Sequence, residues 1–325
     1  MPASLAAPGL VGRVLRQARG WRRDLWTAGA GAVVATCVVV ALAAPLLTAV
    51  EGQDPFTYHP DTLDASGAPA GPGGGIGPTH WFGVEPLTGR DLFAVVVHGA
   101  RTSLGIGLAA TALAVGLGVA AGATAGFLGG WYDRLTTRVI DVLLGFPTLV
   151  FMIALGAIAP TDLPRPLLVV LVVGGFGWPS VARVIRGQTL SLRQRGFVLA
   201  STAMGAGRGH VLVRQVLPHL TVTVVVYTTL LVPQMIATEA ALSFLGVGVP
   251  PPTPSWGRAI GDAVAWVSTD PAFLAFPGGA LFLLTLALTV LGDGLQDRLA
   301  PRTADRTADR TADRTADRSG PREAR

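Results

Sequence analysis

The chain has 325 residues, of which 50% are hydrophobic and 14% are charged, and its mean hydropathy is +0.52. Soluble domains usually carry about 25% charged residues, so this composition argues against a soluble globular protein and favours one that crosses a membrane several times. The net charge is +5, but the arginines lie in patches between apolar stretches, which indicates a membrane topology and no nucleic-acid partner.

Residues 1–26 form a basic, amphipathic segment, and the apolar run that follows, residues 27–50, contains no charged side chain. A bilayer core requires about 20 apolar residues, whereas the apolar core of a signal peptide is usually about 7–15 residues long. We therefore predict a cytoplasmic N-terminus and an uncleaved transmembrane anchor, with a cleaved signal peptide as the alternative. Cys37, the single cysteine, lies inside the anchor and leaves no internal disulfide.

Residues 51–100 are acidic and rich in Pro and Gly, which is typical of an exposed and partly flexible loop. We expect this loop on the extracytoplasmic side. His80 and His98 lie near Glu85 and Asp91 in the sequence, but their spacing matches no metal-ligand motif. We therefore predict no metal, no cofactor and no catalytic residue here.

Five further apolar runs have the length of membrane spans, and they cover about residues 103–127, 140–160, 167–185, 220–245 and 273–291. The first of them contains Gly116 and Gly118, and small residues allow helices to approach closely in lipid, so we expect a packing face there. The prolines between residues 250 and 254 exclude a helix over residues 246–257. The sequence therefore predicts an all-α membrane protein of six transmembrane helices.

Arginine is concentrated at the two ends of the chain and in the segments 128–139 and 186–219. Because cytoplasmic loops carry an excess of basic residues, we predict that both termini are cytoplasmic. Residues 302–325 contain four Thr-Ala-Asp-Arg repeats, and this charge-balanced tail is predicted to be disordered in the cytoplasm.

Glu239 lies near the outer end of the fifth predicted span. Ionisable residues in membrane spans usually face a pathway or pair with a partner. Glu239 is therefore a candidate pathway residue, with local pairing as the alternative.

The segment from residue 196 to 218 carries too many arginines to lie in lipid. Its pattern predicts a short helix that is broken at Gly205, since glycine tolerates the backbone conformation at a helix end. A second helical run, Gly209 to Leu217, then leads to Pro218. Such a segment is suited to docking on a soluble partner, although a plain connecting loop would have a similar composition.

These residues resemble the cytoplasmic loop of ABC importer inner-membrane permease subunits. That loop reads Glu-Ala-Ala, three residues, Gly, nine residues, and then an apolar residue, any residue, Leu-Pro. The matching positions are Leu199, Ala200, Ser201, Gly205, Leu217 and Pro218. Leu199 stands where the family usually has Glu, and Gln215 where it often has Ile, so the spacing is kept but a salt bridge from Leu199 is lost.

Further similarity to the dipeptide, oligopeptide and nickel branch extends over about residues 80–301, most specifically in the Pro-Pro-Thr-Pro-Ser-Trp-Gly motif at 251–257. The resemblance implies a five-helix transport domain over 101–301 with a coupling loop at 196–218. It also implies a multi-pass permease in the bacterial inner membrane that imports di- or oligopeptides, or else nickel or another small solute.

The implied partners are a homologous permease, two ATPase subunits, an extracytoplasmic binding protein and membrane lipid. The chain itself lacks lysine, so it has no G-x-x-x-x-G-K-[ST] motif with which to hydrolyse ATP. A secondary transporter is a less favoured alternative, because neither paired membrane acids nor a clear internal repeat is present.

Overall fold

The computed structural model describes residues 10–158 and 163–299, with side chains from residue 25 onward. The expected cytoplasmic tail, 302–325, lies outside the described residues. Within the described part the chain is helical, apart from loops and two isolated β-bridges. This confirms the predicted all-α membrane fold.

The α-helices of the described part are α1 (Leu10–Glu51), α2 (Leu92–Leu128), α3 (Gly130–Gly145), α4 (Thr148–Ile158), α5 (Arg165–Arg193), α6 (Gly196–Ala203), α7 (Arg208–Val211), α8 (Leu217–Phe244), α9 (Trp256–Ala263) and α10 (Pro271–Leu299). Five helical segments there are long and apolar enough to cross a membrane, and a bent pair, α3 with α4, would make a sixth. We use "outer end" for the end of the bundle that carries residues 52–91, following the predicted orientation.

The third predicted span, residues 140–160, is not continuous. Helix α3 ends at Gly145, α4 begins at Thr148, and the two helices are bent by 87°. Phe146 between them has an extended backbone, φ −88° and ψ 145°, and Pro147 follows it. A residue before proline is disfavoured in the α region, which explains the break at this position.

Helix α2 starts earlier than expected, at Leu92, so the last nine residues of the predicted loop 51–100 are helical. Asp91 caps this helix, since its Oδ1 accepts a hydrogen bond from the N–H of Ala94 at 2.6 Å. Residues 52–91 are also less exposed than predicted, because the side chains of His80, Glu85, Arg90 and Asp91 are buried.

Helices α2 and α5 pack closely along three glycines spaced four residues apart, Gly118, Gly122 and Gly126. A Cβ on Gly122 would lie 2.5 Å from the carbonyl oxygen of Ala182, and one on Gly126 would lie 2.8 Å from that of Arg186. The predicted small-residue face therefore exists, but Gly116 does not belong to it, since a Cβ there would meet nothing within 4 Å. This contact anchors the apolar core and fixes the inner end of α2 beside α6.

Helix α1 packs against α2 and α10 at the side of this core. Helix α10 continues beyond the predicted limit of residue 291 to Leu299, where the described part ends.

Candidate functional site: the inner docking helix and the outer polar anchor

Helix α6 is the short helix predicted between the fourth and fifth spans, and it ends in a Schellman motif. The N–H of Ala206 donates to the carbonyl of Ser201 at 3.1 Å, and the N–H of Gly205 donates to the carbonyl of Thr202 at 3.0 Å. Gly205 has φ +88°, a conformation that most residues with a Cβ avoid. The predicted break at Gly205 thus has its physical cause in this turn.

The second predicted helical run, from Gly209 to Leu217, does not stop at Pro218 but continues past it. Helix α7 leads through a π-helical turn, Leu212–Val216, into α8. Pro218 lies in the first turn of α8, directly after the π-helical turn. The predicted loop ending is therefore the beginning of the fifth span.

The side chains of the predicted coupling residues divide between the core and the surface. Leu199 is 57% exposed and Ala200 is also exposed, whereas Ser201 is buried. Leu217 packs against the main apolar core, and Pro218 lies at the surface. The structure therefore places these residues on one local unit, residues 196–218, which we call the α6–α7 unit, with Leu199 and Ala200 available to a partner.

One contact explains why Gln215 can stand where the resemblance expects an apolar residue. The Nε2 of Gln215 donates a hydrogen bond of 2.6 Å to the Oγ of Ser201. This bond joins α6 to the π-helical turn that leads into α8. Sequence reasoning identified both positions but missed their pairing.

Two arginines, one at the end of α5 and one in α7, bind the inner end of α2. The Nη1 of Arg193 donates to the carbonyl of Phe127 at 3.2 Å, and the Nη2 of Arg208 donates to the carbonyl of Leu128 at 3.3 Å. The last carbonyls of a helix lack helical partners and carry partial negative charge, so the guanidinium groups both satisfy and neutralise that end.

The surface of the α6–α7 unit is apolar and cationic. Phe197 and Met204 are 41% and 82% exposed, and α6 contains no acidic residue. Beside them lies an open groove of about 410 Å³, lined by residues of the inner ends of α2 and α5 and of the α6–α7 unit. An exposed apolar helix beside arginines is suited to a soluble partner with apolar and acidic groups.

Glu239 lies far from this unit, near the outer end of α8, and is fully buried with 0% exposure. Its Oε1 accepts hydrogen bonds from the Oγ of Ser243 at 2.8 Å and from the Oγ of Ser255 at 3.0 Å. The structure therefore supports local pairing of Glu239, and its carboxylate has no surface facing a pathway in this conformation. That Glu239 contacts the solute stays a prediction.

Other buried polar contacts hold the outer end together over long sequence distances. Arg90 makes two hydrogen bonds to Glu85, at 2.7 and 3.1 Å, and its Nη1 donates to the carbonyl of Pro252 at 3.0 Å. The indole N–H of Trp256 donates to the carbonyl of Val96 at 2.8 Å. These contacts fasten the proline-containing loop and residues 52–91 to α2.

His80 and Asp91 also pair with each other, with 2.8 Å between Nδ1 and Oδ2. Since Asp91 caps α2 at the same time, this pair has a structural role in the described arrangement.

A multi-pass helical bundle that exposes a short helix between two spans has the architecture of a membrane permease subunit. Residues 114–305 match the family described as the binding-protein-dependent transport system inner membrane component. The chain belongs to this family and is the permease subunit of an ABC importer.

Relatives with assigned names support this membership over most of their length. The chain is 38% identical over 260 residues to a Brucella ovis protein provisionally named a peptide permease, which covers 79% of this chain and 83% of the relative. It is 36% identical over 278 residues to the glutathione transport system permease protein GsiD of Escherichia coli O1:K1, and this match covers 86% of this chain and 87% of the relative. These similarities favour the ABC importer class over the secondary-transporter alternative.

Proposed function

We propose that this subunit forms, with a homologous permease, the membrane pathway for di- or oligopeptides. Two ATPase subunits bind at the inner side, and an extracytoplasmic binding protein delivers the solute. The observation that carries the proposal is the exposure of α6, an apolar helix that lies between two spans and ends at Gly205 in a Schellman motif. The names of the relatives, peptide permease and glutathione permease, support a peptide-like solute. Nickel or another small solute is the alternative, because the binding protein selects the ligand.

The proposed location is the bacterial inner membrane, with both termini in the cytoplasm. This orientation rests on the concentration of arginine in the segments next to α6. It places α6 on the side where ATP is available and the 52–91 segment on the side where a binding protein would dock.

The mechanism follows from how α6 is attached. The Ser201–Gln215 bond links α6 to the start of α8, and the Arg208–Leu128 bond links the following turn to α2. Helix α8 spans 28 residues, or about 42 Å at 1.5 Å per residue, and reaches the Glu239 cluster at the outer end. A displacement of α6 by closing ATPases is therefore carried to the outer end by continuous helices.

ATP can drive this change only through a difference in its affinity for the two states of the complex. The permease contributes the element that distinguishes those states, the docked position of α6. Glu239 helps by holding the outer loop on α8, so that the loop moves with the helix.

Native mass spectrometry of the tagged subunit, purified gently from its host, tests the proposal. We expect one homologous permease and two ATPase subunits to co-purify. Met204→Arg, which places a charge at the most exposed apolar position of the α6 turn, should reduce ATPase recovery. Val267→Arg, an exposed apolar position at the outer end, is the matched control and should leave recovery unchanged.

Recovery of the chain without any ATPase, at every detergent concentration tried, would contradict the docking role of α6. The solute is identified separately, by mass spectrometry of the ligand bound to the binding protein encoded beside this subunit. A metal chelate there, rather than a peptide, would replace the proposed solute and leave the proposed class of machine unchanged.

A further inference from the structure

A groove at the outer end lies between α2, the first turns of α5 and the proline-containing loop. It has a volume of about 370 Å³ and is lined by Arg101, Thr102, Ile106, Leu167, Val170 and Thr253, among others. Small-molecule sites in proteins typically measure about 300–1,000 Å³ and combine apolar walls with a few polar groups. The groove has this composition, with Arg101 as the charged side chain among its lining residues.

Arg101 is exposed, and it forms no hydrogen bond or ion pair with any residue that the structure describes. His98 interacts electrostatically with Arg101 but is a base and cannot neutralise the guanidinium, and Asp54, which acts on the same histidine, accepts hydrogen bonds from Phe56 and Thr57. The other arginine at the start of α5 is engaged, since the Nη1 of Arg165 donates to the carbonyl of Gly156 at 3.2 Å. A cation in a membrane helix is costly and usually has a functional partner.

The position of Arg101 argues against simple contact with lipid headgroups at the end of a helix. Nine residues of α2 precede it, Leu92 to Ala100, which is about 13 Å of helix. Nearly all of these residues are buried, several of them against α1, α9 and α10. Ser103, two residues further, is fully buried near the Glu239 cluster, so the backbone that carries Arg101 is held on both sides.

We propose that the Arg101 groove is a solute site that receives a carboxylate, together with an adjoining apolar side chain, from the transported peptide. Guanidinium binds carboxylate with two parallel hydrogen bonds, which fixes orientation as well as charge. The walls formed by Ile106, Leu167 and Val170 suit an aliphatic side chain. This inference rests on the proposed peptide function and adds the part of the solute that the permease itself recognises.

The test uses the complete complex with its binding protein in proteoliposomes that contain ATP. Uptake of radiolabelled alanyl-leucine is compared with uptake of its C-terminal amide, each at a concentration that saturates the binding protein. Because the binding protein is the same throughout, a change in the acid-to-amide ratio between variants reports on the permease. The variants are Arg101→Gln and Arg101→Lys, with Arg258→Gln as control, since Arg258 pairs with Asp262 on α9 at the same end.

We expect Arg101→Gln to lower uptake of the free acid roughly tenfold, as for the loss of hydrogen bonds between charged groups, and to leave uptake of the amide unchanged. Arg101→Lys should bring the acid-to-amide uptake ratio part of the way back to the wild-type value, and Arg258→Gln should leave the ratio at the wild-type value. An equal loss for both solutes would assign Arg101 to lipid phosphate or to the fold and would overturn the inference. An unchanged ratio in Arg101→Gln would overturn it as well, with the peptide function intact.

A wild-type complex that takes up neither solute while hydrolysing ATP would instead contradict the proposed peptide function, and the inference would fall with it.

Discussion

Replacing Gly205 tests whether the end of α6 is built for coupling. A Cβ at this position would meet nothing within 4 Å, so a substitution creates no clash and its cost comes from the backbone. Gly205 has φ +88°, and the left-handed region costs a residue with a Cβ about 1–2 kcal/mol. We expect about this cost for Gly205→Ala, less for Gly205→Asn, which tolerates positive φ, and more for β-branched Gly205→Val.

A cost of 1–2 kcal/mol changes the ratio of two conformations by about 5- to 30-fold. If the Schellman turn defines the docked state of α6, ATP-driven uptake should fall in the order Gly205, Asn, Ala, Val. The assay is uptake by the reconstituted complex, measured together with ATPase stimulation by the loaded binding protein. Co-purification of the ATPases separates loss of coupling from loss of assembly.

Gly207 provides the matched control, two residues further along the chain. A Cβ there also meets nothing within 4 Å, but its φ of −62° and ψ of 144° suit any residue. Gly207→Val should therefore behave as wild type. Wild-type uptake and stimulation in Gly205→Val, or an equal loss in both valine variants, would refute the reasoning.

Three predictions concern the rest of the fold. Gly122→Val would push a side chain against the backbone of Ala182, so we expect it to destabilise the subunit by about 1–3 kcal/mol, measured by thermal unfolding. Gly116→Val, on the open face of the same helix, is the control and should leave the melting temperature unchanged. Equal melting temperatures for the two variants would contradict the glycine contact. Glu85→Gln would leave the buried Arg90 without its counter-charge, at a cost of about 3–5 kcal/mol. We expect limited proteolysis to cut residues 52–91 faster in this variant. Adding Arg90→Met removes the uncompensated charge and should restore part of the resistance to proteolysis. Burial raises the pKa of Asp270 above its usual value, opposed by the N–H groups of Phe273 and Ala272. A raised carboxyl pKa in the fold means that stability is lost as pH rises through it, so Asp270→Asn should raise the melting temperature at neutral pH and not below the unfolded pKa of about 4. An equal shift at both pH values would contradict this assignment.

The spans and the docking helix could be predicted because their signals are local. An apolar run of the right length predicts a span wherever it packs, and Gly205 predicts a helix end because few other residues adopt its conformation. The break between α3 and α4 was not predicted, although Phe146-Pro147 offered a signal. Proline alone is ambiguous, since Pro179 and Pro233 lie inside continuous helices.

The polar contacts at both ends could not be predicted, because they join residues that are distant in the sequence. Arg90 and Pro252 are separated by 162 positions, and Trp256 and Val96 by 160. The start of α2 is an intermediate case. Asp91 before an apolar run is a recognisable helix cap, but His98 and Arg101 interrupt the hydropathy and favoured a loop.

The distribution of these contacts determines which parts of the subunit can move together. At the outer end, Trp256 joins the loop to α2, and Ser255 joins it to Glu239 of α8. At the inner end, Arg208 joins the α6–α7 unit to α2, and Gln215 joins α6 to the start of α8. Helices α2 and α8 are thus connected at both ends, and under the proposed mechanism we expect a displacement of α6 to move them together.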